Sequence, residues 1–200
     1  MRYQDAFAHE FRALGFEVDD PGDFVSARCA YPEAIPGLIG WLEAIQERVN
    51  PGGRDRFRES VVRALTVKEA RGTAAPQLLI RELQSGDVKN SRWAIGNALS
   101  VVAGSEDFDD IAALVSDQQW GRGRQMLSYA LVRSDSSRAR EVLLGLLDDP
   151  DVAGHAVDAL TEVAEVSDRI ALEPFLEHPK AWVRRAAQRA IRRIDKMTGP

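Results

Sequence analysis

Trp93 and Tyr129 are the residues whose types best suit molecular recognition in this chain, and several arginines accompany them. Trp, Tyr and Arg side chains bury large areas at low rotamer cost and still satisfy polar partners, so they supply much of the binding energy at protein interfaces. The chemistry that these residues predict is therefore non-covalent binding.

Other residues with potential chemistry have simpler explanations. Gly121 and Gly123 in the segment WGRGRQ could suggest a phosphate-binding loop, but no strand precedes them and no Lys-Ser/Thr follows. Two pairs of neighbouring acids stand at predicted helix ends, where capping and the helix dipole account for them better than acid–base catalysis does. These pairs are Asp109 with Asp110 and Asp148 with Asp149.

An eight-residue pattern that recurs five times predicts the elements that position these side chains. The copies are RESVVRAL (58–65), RWAIGNAL (92–99), RQMLSYAL (124–131), AGHAVDAL (153–160) and RRAAQRAI (184–191). The seventh residue is Ala in every copy, and successive alanines are 34, 32, 29 and 31 residues apart. Periods of this size are typical of stacked helical repeats.

Each octet is predicted to lie in an amphipathic helix. In the second copy, apolar residues recur at helical spacing from Ala94 to Val102, which predicts one buried stripe. The small Ala at the seventh position lets neighbouring helices approach closely, and the Leu or Ile after it fills the groove between them. The stripe of the last copy consists of Val183, Ala186, Ala187, Ala190, Ile191 and Ile194. His155 falls in the third octet column, which predicts a buried imidazole.

A second apolar segment precedes most octets, so the predicted unit is helix, turn, helix. These segments are Pro32–Ile45, Ala74–Leu83, Phe108–Val115, Ala139–Leu147 and Ile170–Leu176. Pro150 and Pro179 end two of them, since Pro cannot donate the next helical hydrogen bond. Gly72, Gly86 and Gly104 are predicted to end helices at the corresponding boundaries.

The chain is predicted to be all-α, with about five hairpins stacked as a right-handed α-solenoid in one continuous domain, residues 31–197. The approximate repeat boundaries are 31–71, 72–104, 105–135, 136–165 and 166–197. Residues 1–30 are predicted to form a capping helix and a connector. In that helix, Phe7, Phe11 and Leu14 share one side and Gly15 ends it.

Composition favours an ordinary globular protein whose fold depends on packing. The chain has 200 residues, of which 44% are hydrophobic, and its single cysteine, Cys29, cannot form an internal disulfide. Charged residues interrupt the amino terminus where a secretion signal needs an apolar run, and no apolar stretch is long enough to span a bilayer. We therefore expect a cytoplasmic location without membrane association, and neither a metal nor a cofactor.

Charge is distributed unevenly along the chain. From Lys180 to Lys196 there are seven basic residues and one acidic residue, a net charge of +6. Because the whole chain has a net charge of −5, the rest of the chain has a net charge of −11. The interpretation that we favour is a soluble outer face on the last helix of an open-ended array. The alternative is a docking patch for nucleic acid or an acidic protein.

The octets resemble HEAT and HEAT-like repeats, in particular the short kind first described in phycobilisome lyases. VRRAAQRAI at Val183–Ile191 is the cleanest copy, and the resemblance covers about residues 31–197. It implies that the first helix of each unit lines a convex wall and the second a concave wall. Some enzymes with such repeats hold di-iron with repeated His-Glu pairs. Here a single pair, His9 with Glu10, lies outside the repeats, so no metal site is predicted.

If this orientation holds, the exposed positions of the octets face the concave groove. The fifth and sixth columns, together with the first and second, then supply its surface, with Trp93, Asn97 and Tyr129 near the centre. The predicted partner-binding residues are Arg63, Arg92, Trp93, Asn97, Arg124, Tyr129, Asp158, Arg185 and Arg189. Packing of Trp93 against a neighbouring helix is the alternative, although other copies carry Glu59, Gln125, Gly154 and Arg185 in its column.

The function predicted is a non-catalytic interaction or scaffold module that binds a protein or peptide segment in its concave groove. One alternative is a nucleic-acid-binding protein, including a HEAT-like alkylpurine DNA glycosylase, because Trp93, Tyr129, Asp158 and Arg124 supply suitable residue types. The acidic net charge argues against duplex binding, which draws on phosphate neutralisation. A lyase-type subunit is a further alternative. Both rest on fold analogy alone.

Overall fold

A computed structural model describes residues 2–85, 88 and 91–197. These residues form α-helices, short 3-10 helices and turns, and no strand occurs among them. The prediction of an all-α chain is therefore confirmed. The chain divides into two compact units, Met1–Val102 and Ala103–Pro200, here called the N-terminal unit and the C-terminal unit.

The N-terminal unit contains seven α-helices within its described residues. Helices α3 and α5 pack together, as do α6 and α7, and α5 also packs against α7. The predicted first segment Pro32–Ile45 is divided among a 3-10 turn, α3 and the start of α4. The helices are α1 (Tyr3–Ala13), α2 (Pro21–Val25), α3 (Ile35–Glu43), α4 (Ile45–Arg48), α5 (Arg54–Ala64), α6 (Ala75–Gln84) and α7 (Arg92–Val102).

Helix α1 is anchored by aromatic packing. Phe7 and Phe11 are fully buried, and the ring of Phe7 lies 5.3 Å from that of Trp41 and 5.6 Å from that of Phe57. Leu14, predicted to join them, is 50% exposed instead. The reason is that α1 ends at Ala13, so Leu14 no longer follows the apolar side of the helix.

The C-terminal unit contains six α-helices within its described residues. Helices α8 and α9, α10 and α11, and α12 and α13 pack as consecutive pairs, while α9 packs on α11 and α11 on α13. The helices are α8 (Phe108–Ser116), α9 (Leu127–Ser134), α10 (Ser136–Gly145), α11 (Ala153–Val163), α12 (Arg169–Leu172) and α13 (Ala181–Met197). Within each unit, the helices that carry the octets thus contact one another directly.

The octet pattern marks the core. The seventh-position alanines and the Leu or Ile that follows each of them are buried in all five copies. The six-residue stripe predicted for the last copy matches the buried residues of α13. In the third copy the α-helix begins only at Leu127, because a 3-10 segment, Gln118–Arg124, precedes it.

The predicted turn glycines behave differently from one another. Gly15 and Gly72 have φ of +89° and +68°. These values lie in the left-handed region, which glycine commonly adopts just after the C-terminal end of a helix. Gly104 has φ of −111°, so the prediction that it ends a helix in this way is wrong. Its backbone N–H instead donates to the Asp107 carboxylate at 2.8 Å. Gly86 lies outside the described residues.

Candidate partner-binding surfaces

The nine predicted binding residues are divided between the two units. Each surface is built within its own unit, and a single groove that contains both Trp93 and Tyr129 stays a prediction. The N-terminal unit carries Arg63, Arg92, Trp93 and Asn97, and the C-terminal unit carries Arg124, Tyr129, Asp158, Arg185 and Arg189.

Trp93 is an exposed aromatic residue at the start of α7. Its surface is 47% exposed, so the alternative that its ring is core packing does not hold. Asn97 lies one helical turn later on the same face and is half-buried. Arg63 stands at the matching octet position of α5, the helix that packs against α7. These three side chains therefore belong to one region of the N-terminal unit.

An open cavity of about 560 Å³ lies beside this region, and Arg63 and Asn97 both line it. Its lining combines apolar and polar side chains, and ligand pockets commonly place a few polar groups among apolar ones. We call this space the α7 cavity. Its apolar lining consists of Phe24, Val25, Ala27, Ala30 and Val67, and its other lining residues are Cys29, Tyr31, Arg63, Thr66, Lys68, Glu69 and Asn97.

Hydrogen bonds fix two of the polar residues that line the α7 cavity. The Tyr31 hydroxyl donates to the Ala64 carbonyl at 2.8 Å, and burial together with the nearby Glu69 carboxylate raises the pKa of Tyr31 to about 12. Arg63 donates to Glu59 on its own helix at 2.7 Å. The sequence analysis predicted Arg63 and Asn97 but missed the lining residues between positions 24 and 31, which no octet marks.

In the C-terminal unit, three helices are joined by one carboxylate. The Tyr129 hydroxyl of α9 donates to Asp158 Oδ2 of α11 at 2.8 Å, and Arg189 of α13 donates to Asp158 Oδ1 at 2.5 Å. Burial first, and then the hydrogen bond to Asp158, raise the pKa of Tyr129. The structure thus brings three predicted residues together, all from the sixth octet column. With His155 and Trp182 they form what we call the Asp158 cluster.

His155 lies between two aromatic rings of this cluster. Its imidazole is 5.0 Å from the Trp182 ring and 6.1 Å from the Tyr129 ring, measured between centroids. It is half-buried, so the prediction of a buried imidazole in a core column is wrong. Burial lowers the pKa of His155 below its usual value. Trp182 was missed because it precedes the last octet and has no counterpart in the pattern.

Arg124 is not available to a partner, and its assignment to the binding surface is wrong. Its side chain is 1% exposed and donates to the Val115 carbonyl at 2.7 Å, to the Gly121 carbonyl at 3.0 Å and to Asp149 at 2.8 Å. Arg58, in the same octet column, is also buried and donates to Glu82 at 2.8 Å. In these two copies, the arginine of the first octet column therefore forms a hydrogen bond with a residue of the next hairpin.

The fifth octet column is also mostly buried, contrary to its predicted exposure. Val62, Gly96, Ser128 and Val157 are all buried, because this column faces the neighbouring helices, and Gln188 alone of the five is exposed. Of the remaining predicted residues, Arg92 is half-buried and Arg185 is exposed.

Glu10, which forms the His-Glu pair with His9, has a structural role. Glu10 accepts hydrogen bonds from Trp41 Nε1 at 3.0 Å and from Arg48 at 3.1 Å, which joins α1 to the first hairpin. Among the described residues, no group of three or more His, Cys, Asp or Glu side chains could hold a metal ion. None of the helices within the described part of the chain has the length and apolar character to cross a membrane.

Comparisons with known proteins inform the fold only. No family model matches this sequence, and no curated protein matches it. Among solved structures, the crystal structure of an engineered protein is similar, with a TM-score of 0.51 and 18% sequence identity. The match covers 88% of this chain and 89% of that chain. At this identity it bears on the backbone arrangement and not on function.

Proposed function

We propose that this protein is a non-catalytic interaction module that binds a protein or peptide segment on the octet-bearing helices. The observation that carries the proposal is the exposed Trp93 on α7, one turn from Asn97, which lines the α7 cavity. A segment bound in this cavity would meet apolar side chains as well as the polar side chains of Arg63 and Asn97.

The exposure of Trp93 supports a binding role. A Trp that is 47% exposed gains only part of the free energy that burial of the ring would supply. A partner that covers the ring recovers the rest, which is why Trp is enriched among the residues that dominate interface energies. Fold packing does not require this ring, since its column carries Glu59, Gln125 and Arg185 in other copies.

Replacing Trp93→Ala should weaken binding without unfolding the protein. A probe peptide selected from a display library against the wild-type chain should bind the variant at least about tenfold more weakly, while the free energy of unfolding changes by about 1 kcal/mol or less. Titration calorimetry measures the first quantity and urea denaturation the second.

Ile170→Ala is the matched control, because Ile170 is 80% exposed on α12, a helix without an octet. It should leave binding of the same peptide unchanged. If Trp93→Ala costs several kcal/mol of stability while binding is retained, the residue is structural and the proposal fails.

We further propose that the helix pairs continue as one right-handed α-solenoid of about five HEAT-like hairpins behind an N-terminal cap. The regular spacing of the seventh-position alanines supports this architecture, as does the packing of octet helices on one another within each unit.

A further inference from the structure

One side of α13 carries a dense set of cations. Arg185, Arg189, Arg192 and Lys196 are exposed and recur every three or four residues, so they share one side of the helix. With 3.6 residues per turn, Trp182 and Arg193 fall within the same sector of about 100°. The buried stripe of α13 occupies the opposite side. We call these six residues the basic sector.

Internal hydrogen bonds place the basic sector beside α11. Arg189 donates to Asp158 at 2.5 Å, and Arg193 donates to the Ala164 carbonyl at 2.6 Å. The acidic residue of this helix, Asp195, lies outside the sector and pairs with Arg169 of α12. The sector therefore presents five cations, one of which is already neutralised by Asp158.

We propose that the basic sector binds an acidic α-helical segment of a partner protein. A helix rises 1.5 Å per residue, so Arg185 and Lys196 are separated by about 17 Å along the axis. Carboxylates at positions i, i+4, i+7 and i+11 of a partner helix repeat the spacing of the four exposed cations. Carboxylates can then face Arg185, Arg192 and Lys196 directly, and a fourth shares Arg189 with Asp158. Arginine can form paired hydrogen bonds with a carboxylate.

The dimensions and charge of the sector favour an acidic helix over nucleic acid. Duplex-binding proteins commonly neutralise about six to ten phosphates, whereas this sector offers four exposed cations over about three helical turns, and Asp158 already pairs with one of them. The rest of the chain carries a net charge of −11, which repels a long polyanion beyond the sector. The half-buried Trp182 at one end supplies an aromatic contact of the kind that interfaces use.

This surface is separate from the α7 cavity, since every residue in it belongs to the C-terminal unit. The inference rests on the proposed function, since α13 is one of the octet-bearing helices, and it adds a second site whose test can fail independently of the Trp93→Ala test. Trp93→Ala should leave binding to the basic sector unchanged.

The test uses the full chain and a fluorescein-labelled helical peptide with Glu at i, i+4, i+7 and i+11 among Ala and Gln. A second peptide of the same composition has its Glu residues spread around the helix. Fluorescence anisotropy should show tighter binding of the in-register peptide, and the affinity should fall as the salt concentration rises. Equal affinity for the two peptides would overturn the proposal.

The variant pair Arg185→Glu with Lys196→Glu should weaken binding of the in-register peptide by about tenfold or more, because attraction becomes repulsion at two positions. Arg56→Glu with Arg133→Glu makes the same change in net charge at exposed positions of α5 and α9, and it should change the affinity less than about threefold. An equal loss in both pairs would assign the effect to net charge and overturn the site.

Tighter binding of a 20-base-pair duplex than of the in-register peptide would overturn the choice of partner.

Discussion

At the scale of single residues, the arginines show how burial changes a side chain's role. Arg63 and Arg124 are both predicted from the sequence to bind a partner, yet Arg63 lines a cavity and Arg124 is enclosed by two carbonyls and a carboxylate. The partner of Arg124, Asp149, lies 25 residues further along the chain. A repeat pattern predicts which column a residue occupies, but it does not identify such a distant partner.

Replacing Arg124→Met should destabilise the C-terminal unit by about 3 kcal/mol or more, because Asp149 and the Val115 carbonyl lose a buried donor. Urea denaturation measures this loss. Arg122→Met is the control, since its side chain is 80% exposed and lies 3.6 Å from Asp151, and it should cost about 0.5 kcal/mol or less. An equal loss of stability in the two variants would mean that the buried hydrogen bonds of Arg124 do not stabilise the fold.

His155 should make stability depend on pH. Burial lowers the pKa of His155 in the folded protein and is the largest effect. The Asp158 carboxylate raises this pKa to a smaller extent, and the Lys180 ammonium lowers it least. Below the unfolded-state pKa of about 6.5, the unfolded chain takes up a proton that the folded state resists, so the free energy of unfolding falls as the pH decreases.

The measurement is the urea midpoint at several pH values from about 7.5 down to about 5.5, a window chosen around the ordinary histidine pKa. His155→Gln should show a smaller decrease than the wild type over this range. Identical decreases in the two proteins would show that His155 does not supply this dependence.

At the scale of helices, close approach between α11 and α13 depends on a residue without a side chain. A Cβ atom at Gly154 would lie 2.9 Å from the Trp182 ring and 2.9 Å from Val183 Cγ2. Gly154 therefore lets Trp182 lie across α11 next to His155. The same small residue that weakens α11 as an isolated helix positions the aromatic part of the Asp158 cluster.

Gly154→Ala should destabilise the protein by about 1–3 kcal/mol, because the ring and the valine must move apart. Gly40→Ala in α3 is the control: nothing lies within 4 Å of its Cβ position, so better helix propensity should stabilise the fold by up to about 1 kcal/mol. Thermal or urea denaturation distinguishes the two. A stabilised Gly154→Ala variant would contradict the proposed packing.

Helices with octets were predicted more closely than the helices that precede them. Their apolar stripes are regular, and the buried residues of α7 and α13 match them. In contrast, the predicted segment Ile170–Leu176 divides into α12 and a 3-10 turn, Glu173–Glu177. Pro174 lies near the start of that turn, where its missing N–H cannot continue the α-helical bonding. The hydrophobic pattern does not carry this information.

At the scale of the whole molecule, periodicity predicted helices and buried columns but overestimated the accessible surface. The seventh and eighth columns are buried as expected, whereas Arg124 and four of the five residues in the fifth column were assigned to the surface and are buried. The lining of the α7 cavity includes residues from the end of α2 and from the loop after it, between positions 24 and 31, and these lie outside every octet. The repeat spacing does not predict where loops and other residues outside the octets lie, because it constrains only the residues that recur.

The solenoid proposal predicts an elongated particle. A compact globule of 200 residues would have a radius of gyration of about 16 Å. Small-angle X-ray scattering should give a larger value and an asymmetric distance distribution, because stacked hairpins extend in one direction. A value within about 1 Å of the globular expectation would count against the continuous array.

Cys29 is the sole thiol of the chain, is exposed and lines the α7 cavity. An environment-sensitive dye attached to this sulfur would be a unique optical reporter at the rim of the cavity. Entry of any ligand could then be followed in real time without altering the helices or introducing a second label.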